Sequence, residues 1–172
     1  NAGEGNETVQ MIRIQYILLL CLFGLNCFAQ KQFQPVARFT GEVIKIVDGD
    51  TYDLLLEDHT VKRIRMEGID APEKGMPYYK QSREYLAALC FRKTVTVIQT
   101  GKDRNGRVIA QTILPSATEL GWQMVNAGYA WHFKKYSTSK QLAGAEAGAR
   151  KKRAGLWADK QPVAPWEWRK KP

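Results

Sequence analysis

Between Phe39 and Gly68 the chain sets three runs of β-forming residues in succession, parted only by Asp48-Gly49-Asp50 and Glu57-Asp58-His59-Thr60. Connections this short join antiparallel neighbours, so the segment reads as a meander. Phe39 to Val47 is rich in β-branched residues, and Tyr52 to Leu56 alternates after the Asp-Gly turn. Val61 to Gly68 places Ile64, Met66 and Gly68 on one face and Arg63, Arg65 and Glu67 on the other. Tyr78 to Cys90 then carries apolar residues at helical spacing, and strands over Thr94 to Gln99 and Val108 to Ile113 flank a Gly101 to Arg107 turn. Capping boxes predict two further helices: Ser116-x-x-Glu119 opens one that stops at Gly128, and Thr138-x-x-Gln141 opens one that stops at Gly155. Three strands, a helix and two more strands is the order of an OB-fold, a five-stranded Greek-key barrel. The expected class is mainly β with about three helices.

A chain of 172 residues, 44% hydrophobic, can bury one sizeable core. The domain is expected over residues 36–160, followed by a basic, Trp-containing tail over 161–172. The net charge of +9 favours a polyanionic partner. It is unevenly spread: residues 134–172 hold 11 Lys or Arg against 3 acids, whereas residues 30–133 hold 14 against 12.

Upstream, Met11-Ile-Arg13 is a basic start, Ile14 to Phe28 is almost wholly apolar, and Cys27-Phe28-Ala29 offers small residues at a cleavage site. Residues 11–29 are therefore expected to be a signal peptide, since the apolar run falls short of the roughly 20 residues that span a bilayer. Cleavage after Ala29 implies a secreted or periplasmic protein with no stable membrane association. Residues 1–10 precede Met11 and read as an appended or over-extended start. Of three cysteines the mature chain would keep only Cys90, which closes an apolar helical pattern and is expected to be buried and structural. His59 and His132 lack zinc-type spacing and are expected to be structural.

The chemistry concentrates in Arg65-Met-Glu-Gly-Ile-Asp70-Ala71-Pro72-Glu73. Asp50 and Asp70, both at strand edges, can together serve as oxygen ligands for a hard divalent cation, although carboxylates alone do not separate calcium from magnesium. Pro72 turns Asp70 and Glu73 apart, so that one can hold metal while the other holds water. Arg65, and Arg107 on the Asp103-Arg104-Asn105-Gly106 turn, are guanidinium forks suited to phosphate oxygens if the barrel brings them to the acids. In the tail, Pro162-Val-Ala-Pro165-Trp166-Glu-Trp168-Arg-Lys-Lys reads as a stiff arm docking its indoles on the barrel.

Val-Asp-Gly-Asp-Thr, Arg-x4-Asp-Ala-Pro-Glu, Asp-Arg-x-Gly-Arg and Gly-Leu-Trp, in this order over about residues 36–160, resemble the thermonuclease or staphylococcal nuclease-like family. The resemblance implies calcium bound by Asp50, Asp70 and the carbonyl of Ala71. It further implies that Glu73 orients or deprotonates the attacking water and that Arg65 and Arg107 bind phosphate, making the protein a monomeric phosphodiesterase or endonuclease acting on DNA, RNA or both. Arg104 and Tyr136 are the candidate substrate-binding residues. Asn105 stands where the best-known member of that family has a tyrosine lining the nucleotide pocket. The competing class is a non-catalytic, secreted OB module that binds nucleic acid or another polyanion. Such a module would have no need of Asp50, Asp70, Glu73, Arg65 and Arg107 together.

Overall fold

The computed structural model describes residues 36–170. The expected leader and start segment, residues 1–29, lie outside the described residues. Five strands form a closed barrel in the order β1-β2-β3-β6-β5: β1 is Arg38–Ile46, β2 Thr51–Leu55, β3 Val61–Met66, β5 Thr94–Lys102 and β6 Val108–Ile113. All neighbours are antiparallel except β3 and β6, which run parallel, with Ile64 opposite Val108. This is the OB-type barrel with added helices that the strand order predicts.

The barrel closes around the alternating side chains that defined it. Val43, Leu54, Ile64, Met66, Val95, Val97 and Ala110 are buried, while Arg63 points out to solvent. Tyr52 is fully buried, its hydroxyl 2.7 Å from that of Thr112, so its polar tip finds a partner inside the core. A short ribbon, β4 (Ile69–Asp70) paired with β7 (Trp131–His132), lies apart from the barrel sheet.

The helix α1 (Tyr79–Cys90) buries Ser82, Leu86 and Cys90, four residues apart along one face. Cys90 donates to the Leu86 carbonyl at 3.2 Å, and burial pushes its thiol up to about 12, which fits an inert core residue. Helices α2 (Leu120–Asn126) and α3 (Lys140–Lys151) also form, but their caps differ from the expected ones. Glu119, not Ser116, caps α2, accepting from the backbone N–H groups of Gly121 and Trp122, while the Ser116 hydroxyl turns to Thr118. Ser139, not Thr138, caps α3 and accepts from Leu142 N at 3.2 Å.

Beyond α3, a 3₁₀ turn (Gly155–Ala158) runs back against the end of α2. Its approach requires two glycines: a Cβ on Gly128, which has φ +75°, would lie 2.1 Å from the Ala154 carbonyl oxygen. Leu156 N donates to the Gly128 carbonyl at 2.9 Å in the space so created. The tail adds a one-turn helix, α4 (Pro165–Trp168), beyond the three expected, with Pro165 at its first position. Among the described residues, no helix is long and apolar enough to cross a membrane.

Candidate active site

The β1–β2 turn and the β3–β4 segment meet at one end of the barrel because the chain at Gly49 can approach closely. A Cβ there would collide with the Ser82 hydroxyl and with the Ala71 side chain. Ser82 is fixed in turn by donating to the Tyr129 carbonyl at 2.7 Å. Glycine at position 49 thus lets the Asp48–Thr51 turn pack against Ala71, and this brings Asp50 to Asp70.

Asp50 and Asp70 are almost fully buried, at 4% and 1% exposure. One oxygen of Asp50 accepts from the backbone N–H of Ala71 at 2.7 Å, and the other accepts from the Thr51 hydroxyl at 2.9 Å. A single guanidinium joins the two acids: Arg65 Nη1 lies 2.5 Å from Asp50 Oδ2, and Nη2 donates to Asp70 Oδ1 at 2.9 Å. Burial lifts the Asp70 carboxyl above its ordinary range and the Asp50 charge pushes the same way, while Arg169 and Arg65 oppose them. Asp48 belongs to the same cluster. It accepts from Asp50 N at 3.1 Å, and burial, with the charge of Asp50, pushes it up to about 7.

Two buried carboxylates that converge on one cation, with a third acid behind them, form an electronegative nest whose donors are all hard oxygens. That donor set fits calcium or magnesium and is unsuited to soft metals. Asp50, Asp70 and the carbonyl of Ala71 are the groups that would hold it. Among the described residues, no set of three or more His, Cys, Asp or Glu forms a metal-binding group. A cation here would therefore depend on backbone carbonyl and water to complete its shell.

Glu73 lies beyond Pro72 on the loop that leads to α1, where its backbone N–H meets the Met76 sulfur at 3.2 Å and its carboxylate is partly exposed. That carboxylate is ion-paired with Arg169 of the tail. The same guanidinium donates to Asp70 Oδ2 at 2.7 Å, so Arg169 links the two acids that Pro72 separates. Burial opposes its charge, but its bonds to Asp70 and Glu73 hold Arg169 above its ordinary range.

Arg107 is engaged elsewhere. Its Nε donates to Asp103 Oδ2 at 2.6 Å, and its backbone N–H donates to Asp103 Oδ1 at 3.0 Å, which folds the Asp103–Arg107 turn around the acid. Burial works against Asp103, yet these donors hold its carboxyl below the usual range. Arg107 lines an open hollow with Asp53, Val61, Arg63, Asn105 and Gly106, where Arg63 grips Asp53 through two bonds of 2.7 and 3.0 Å. Arg104 is exposed on the same turn, and Tyr136 is 68% exposed with its ring edge-on to Phe133. The structure thus brings Asp50, Asp70, Ala71, Arg65 and Glu73 into one constellation. Arg107 pairs with Asp103, Tyr136 packs on Phe133, and Arg104 is exposed on its turn.

Sequence reasoning assigned no role to Arg169 or Asp48. For Arg169 a signal was present: Pro165 starts a helix at that point, and Trp166 and Arg169 are three apart, which puts the indole and the guanidinium on one helix face.

Residues 63–159 match the sequence profile of the family described as staphylococcal nuclease homologue. An uncharacterized endonuclease of Escherichia coli is 38% identical over 133 residues, covering 77% of this chain and 86% of that protein. A micrococcal nuclease of Shigella flexneri is 38% identical over 144 residues, covering 78% of this chain and 82% of its own. The staphylococcal-like nuclease CAN1 of Arabidopsis thaliana is 41% identical over 108 residues, covering 63% of this chain but 33% of the plant protein. The molecule is thus an OB-type barrel domain that carries a buried acid pair bridged by one arginine. The chain belongs to the staphylococcal nuclease homologue family.

Proposed function

We propose that this protein is a divalent-cation-dependent phosphodiesterase that cleaves DNA, RNA or both, acting as an endonuclease from outside the cytoplasm. The observation that carries the reading is the convergence of Asp50 and Asp70, both buried, on the single guanidinium of Arg65 beside Glu73. Two buried acids held together cost stability unless they serve a cation, so the arrangement is built for charge and not for packing.

When bound, the cation would supply positive charge to a phosphate oxygen and lower the pKa of coordinated water; calcium fits the donor set, and magnesium fits it as well. Arg65, braced by both acids, is placed to turn its planar fork toward a non-bridging phosphate oxygen as negative charge builds on phosphorus. Glu73 is the group available to orient a water molecule and take its proton, because its side chain is 40% exposed whereas those of Asp50 and Asp70 are 6% and 2%. Arg107, held in its turn by Asp103, would bind a second phosphate or meet the scissile one after the substrate draws it from that pair. Neither arginine releases a proton readily, so the leaving oxygen takes its proton from water. Exposed Lys134, Lys135, Lys151 and Lys152 extend the positive surface along which a polyanion would be captured. Export through residues 11–29 fits a hydrolase kept away from the cell's own nucleic acid.

The test is digestion of end-labelled single-stranded DNA, duplex DNA and RNA with calcium or magnesium, followed by identification of the product ends. Internal cuts that leave defined phosphate termini are expected on at least one of the three. Retarded migration of intact strands with no products under any condition would assign the chain to the binding-module class instead.

A further inference from the structure

The C-terminal strap carries a feature that the nuclease reading does not use. Glu73 sits on the irregular stretch between β4 and α1, and its carboxylate is partly exposed. It also faces the negative charge of Asp70 across Pro72. A base in this position has every electrostatic reason to swing outward, and a misplacement of about 1 Å in a catalytic group can cost on the order of a hundredfold in rate.

Arg169 supplies the opposing hold. Its two terminal nitrogens are divided between the acids, with Nη2 on Asp70 Oδ2 at 2.7 Å and Nη1 on Glu73 Oε1, so one rigid planar group sets the spacing of both carboxylates. The arginine is itself firmly delivered. Trp166 stacks on Phe133 with ring centroids 5.1 Å apart and planes within 1°, and meets Trp131 edge-on at 5.6 Å. Pro165 is buried at the start of the turn, and Arg169 N donates back to the Pro165 carbonyl at 3.0 Å. Trp131 is the residue of β7 that pairs with Asp70 of β4, so the strap is anchored on the strand next to the acid it reaches.

We infer that Arg169 is a positioning residue of the active site, holding Glu73 at a fixed distance from Asp70 so that the glutamate meets a water molecule in one orientation. The inference rests on the assignment of Glu73 as the base. It makes the strap over residues 165–169 part of the catalytic unit.

The experiment compares wild type with Arg169→Gly and Arg169→Gln, taking Lys170→Gln as a neighbouring surface control whose partner is the exposed Glu167. Both Arg169 variants should lose about ten- to a hundredfold in kcat, with the KM for a labelled oligonucleotide within threefold of wild type. Calcium affinity by titration calorimetry should stay within threefold. Methylguanidine at millimolar concentrations should restore part of the lost kcat in the glycine variant, since it fits the space left by the side chain. Lys170→Gln should match wild type. Backbone amide spectra recorded without metal should shift at residues 73–76 in Arg169→Gln and leave the barrel strands unchanged. Unchanged kcat overturns the inference, as does a several-fold gain in calcium affinity at constant kcat, which would make Arg169 only a counter-ion that metal displaces. If the wild-type protein cleaves no nucleic acid, the nuclease reading falls, and the amide spectra still decide whether Arg169 fixes the Glu73 loop.

Discussion

Replacing Glu73 by glutamine is expected to lower kcat by about 10²- to 10⁴-fold while leaving the fold intact, the range that a positioned general base contributes. Glutamine keeps the shape of the side chain and can still accept a bond from Arg169, so loop geometry is largely preserved and the loss isolates the charge and proton affinity of the carboxylate. Because Glu73 is partly exposed and off the barrel, the thermal midpoint should move by less than the change seen on altering a buried acid. Initial rates at saturating oligonucleotide, with circular dichroism as the folding control, make the comparison. A glutamine variant within threefold of wild type would remove Glu73 from the mechanism, and would remove with it the role inferred for Arg169.

Arg65→Ala is expected to do damage of two kinds. Arg65 is the bridge between Asp50 and Asp70, whose side chains are only 6% and 2% exposed, so its removal leaves two buried acids facing each other. Breaking a buried ion pair from one side costs about 3–5 kcal/mol, which should appear as a lowered urea midpoint in chelator. Calcium should recover much of that loss, since a dication neutralises the same carboxylates and binding to the native state stabilises it. The rate should not recover with it. A phosphate clamp acting in the transition state is worth on the order of 10²- to 10³-fold, and no cation on the acids replaces the fork itself. Arg65→Lys should restore stability better than activity, because an ammonium supplies charge without two parallel donors. Equal recovery of rate and stability on adding calcium to the alanine variant would show that Arg65 serves only as a counter-ion.

The barrel was legible in the sequence because its strands bury one face each, and alternation survives in Val61–Met66 as Ile64 and Met66 inside with Arg63 outside. The β4–β7 ribbon was not, since two residues per strand are too few for any period to register. Cap positions failed for local reasons. A half-buried glutamate took the place of Ser116, its two oxygens meeting two N–H groups, and Ser139 won over the adjacent Thr138 by a one-residue shift that a capping-box pattern cannot resolve. In the site, Asp50, Asp70, Ala71, Arg65 and Glu73 could be found because the two turns that carry them are short and lie at strand ends. The contact of Arg169 with Glu73 spans 96 residues and depends on where Trp166 finds Phe133 and Trp131, which no local pattern encodes. The sequence did suggest that the tail's indoles dock on the barrel. Trp166 packs instead on Trp131 of the β4–β7 ribbon and on Phe133 beside it, from a helical turn, and it is this turn that swings Arg169 toward the acids.

Whether Asp50 and Asp70 serve a divalent cation needed for phosphodiester hydrolysis is decided by following cleavage of a labelled oligonucleotide by one preparation of wild-type protein, first with calcium, then with excess EDTA and EGTA, then with calcium restored in excess over chelator. Cleavage should stop on chelation and return with the metal, and Asp50→Asn should cleave under none of the three conditions. Undiminished cleavage in excess chelator would contradict a role for the cation.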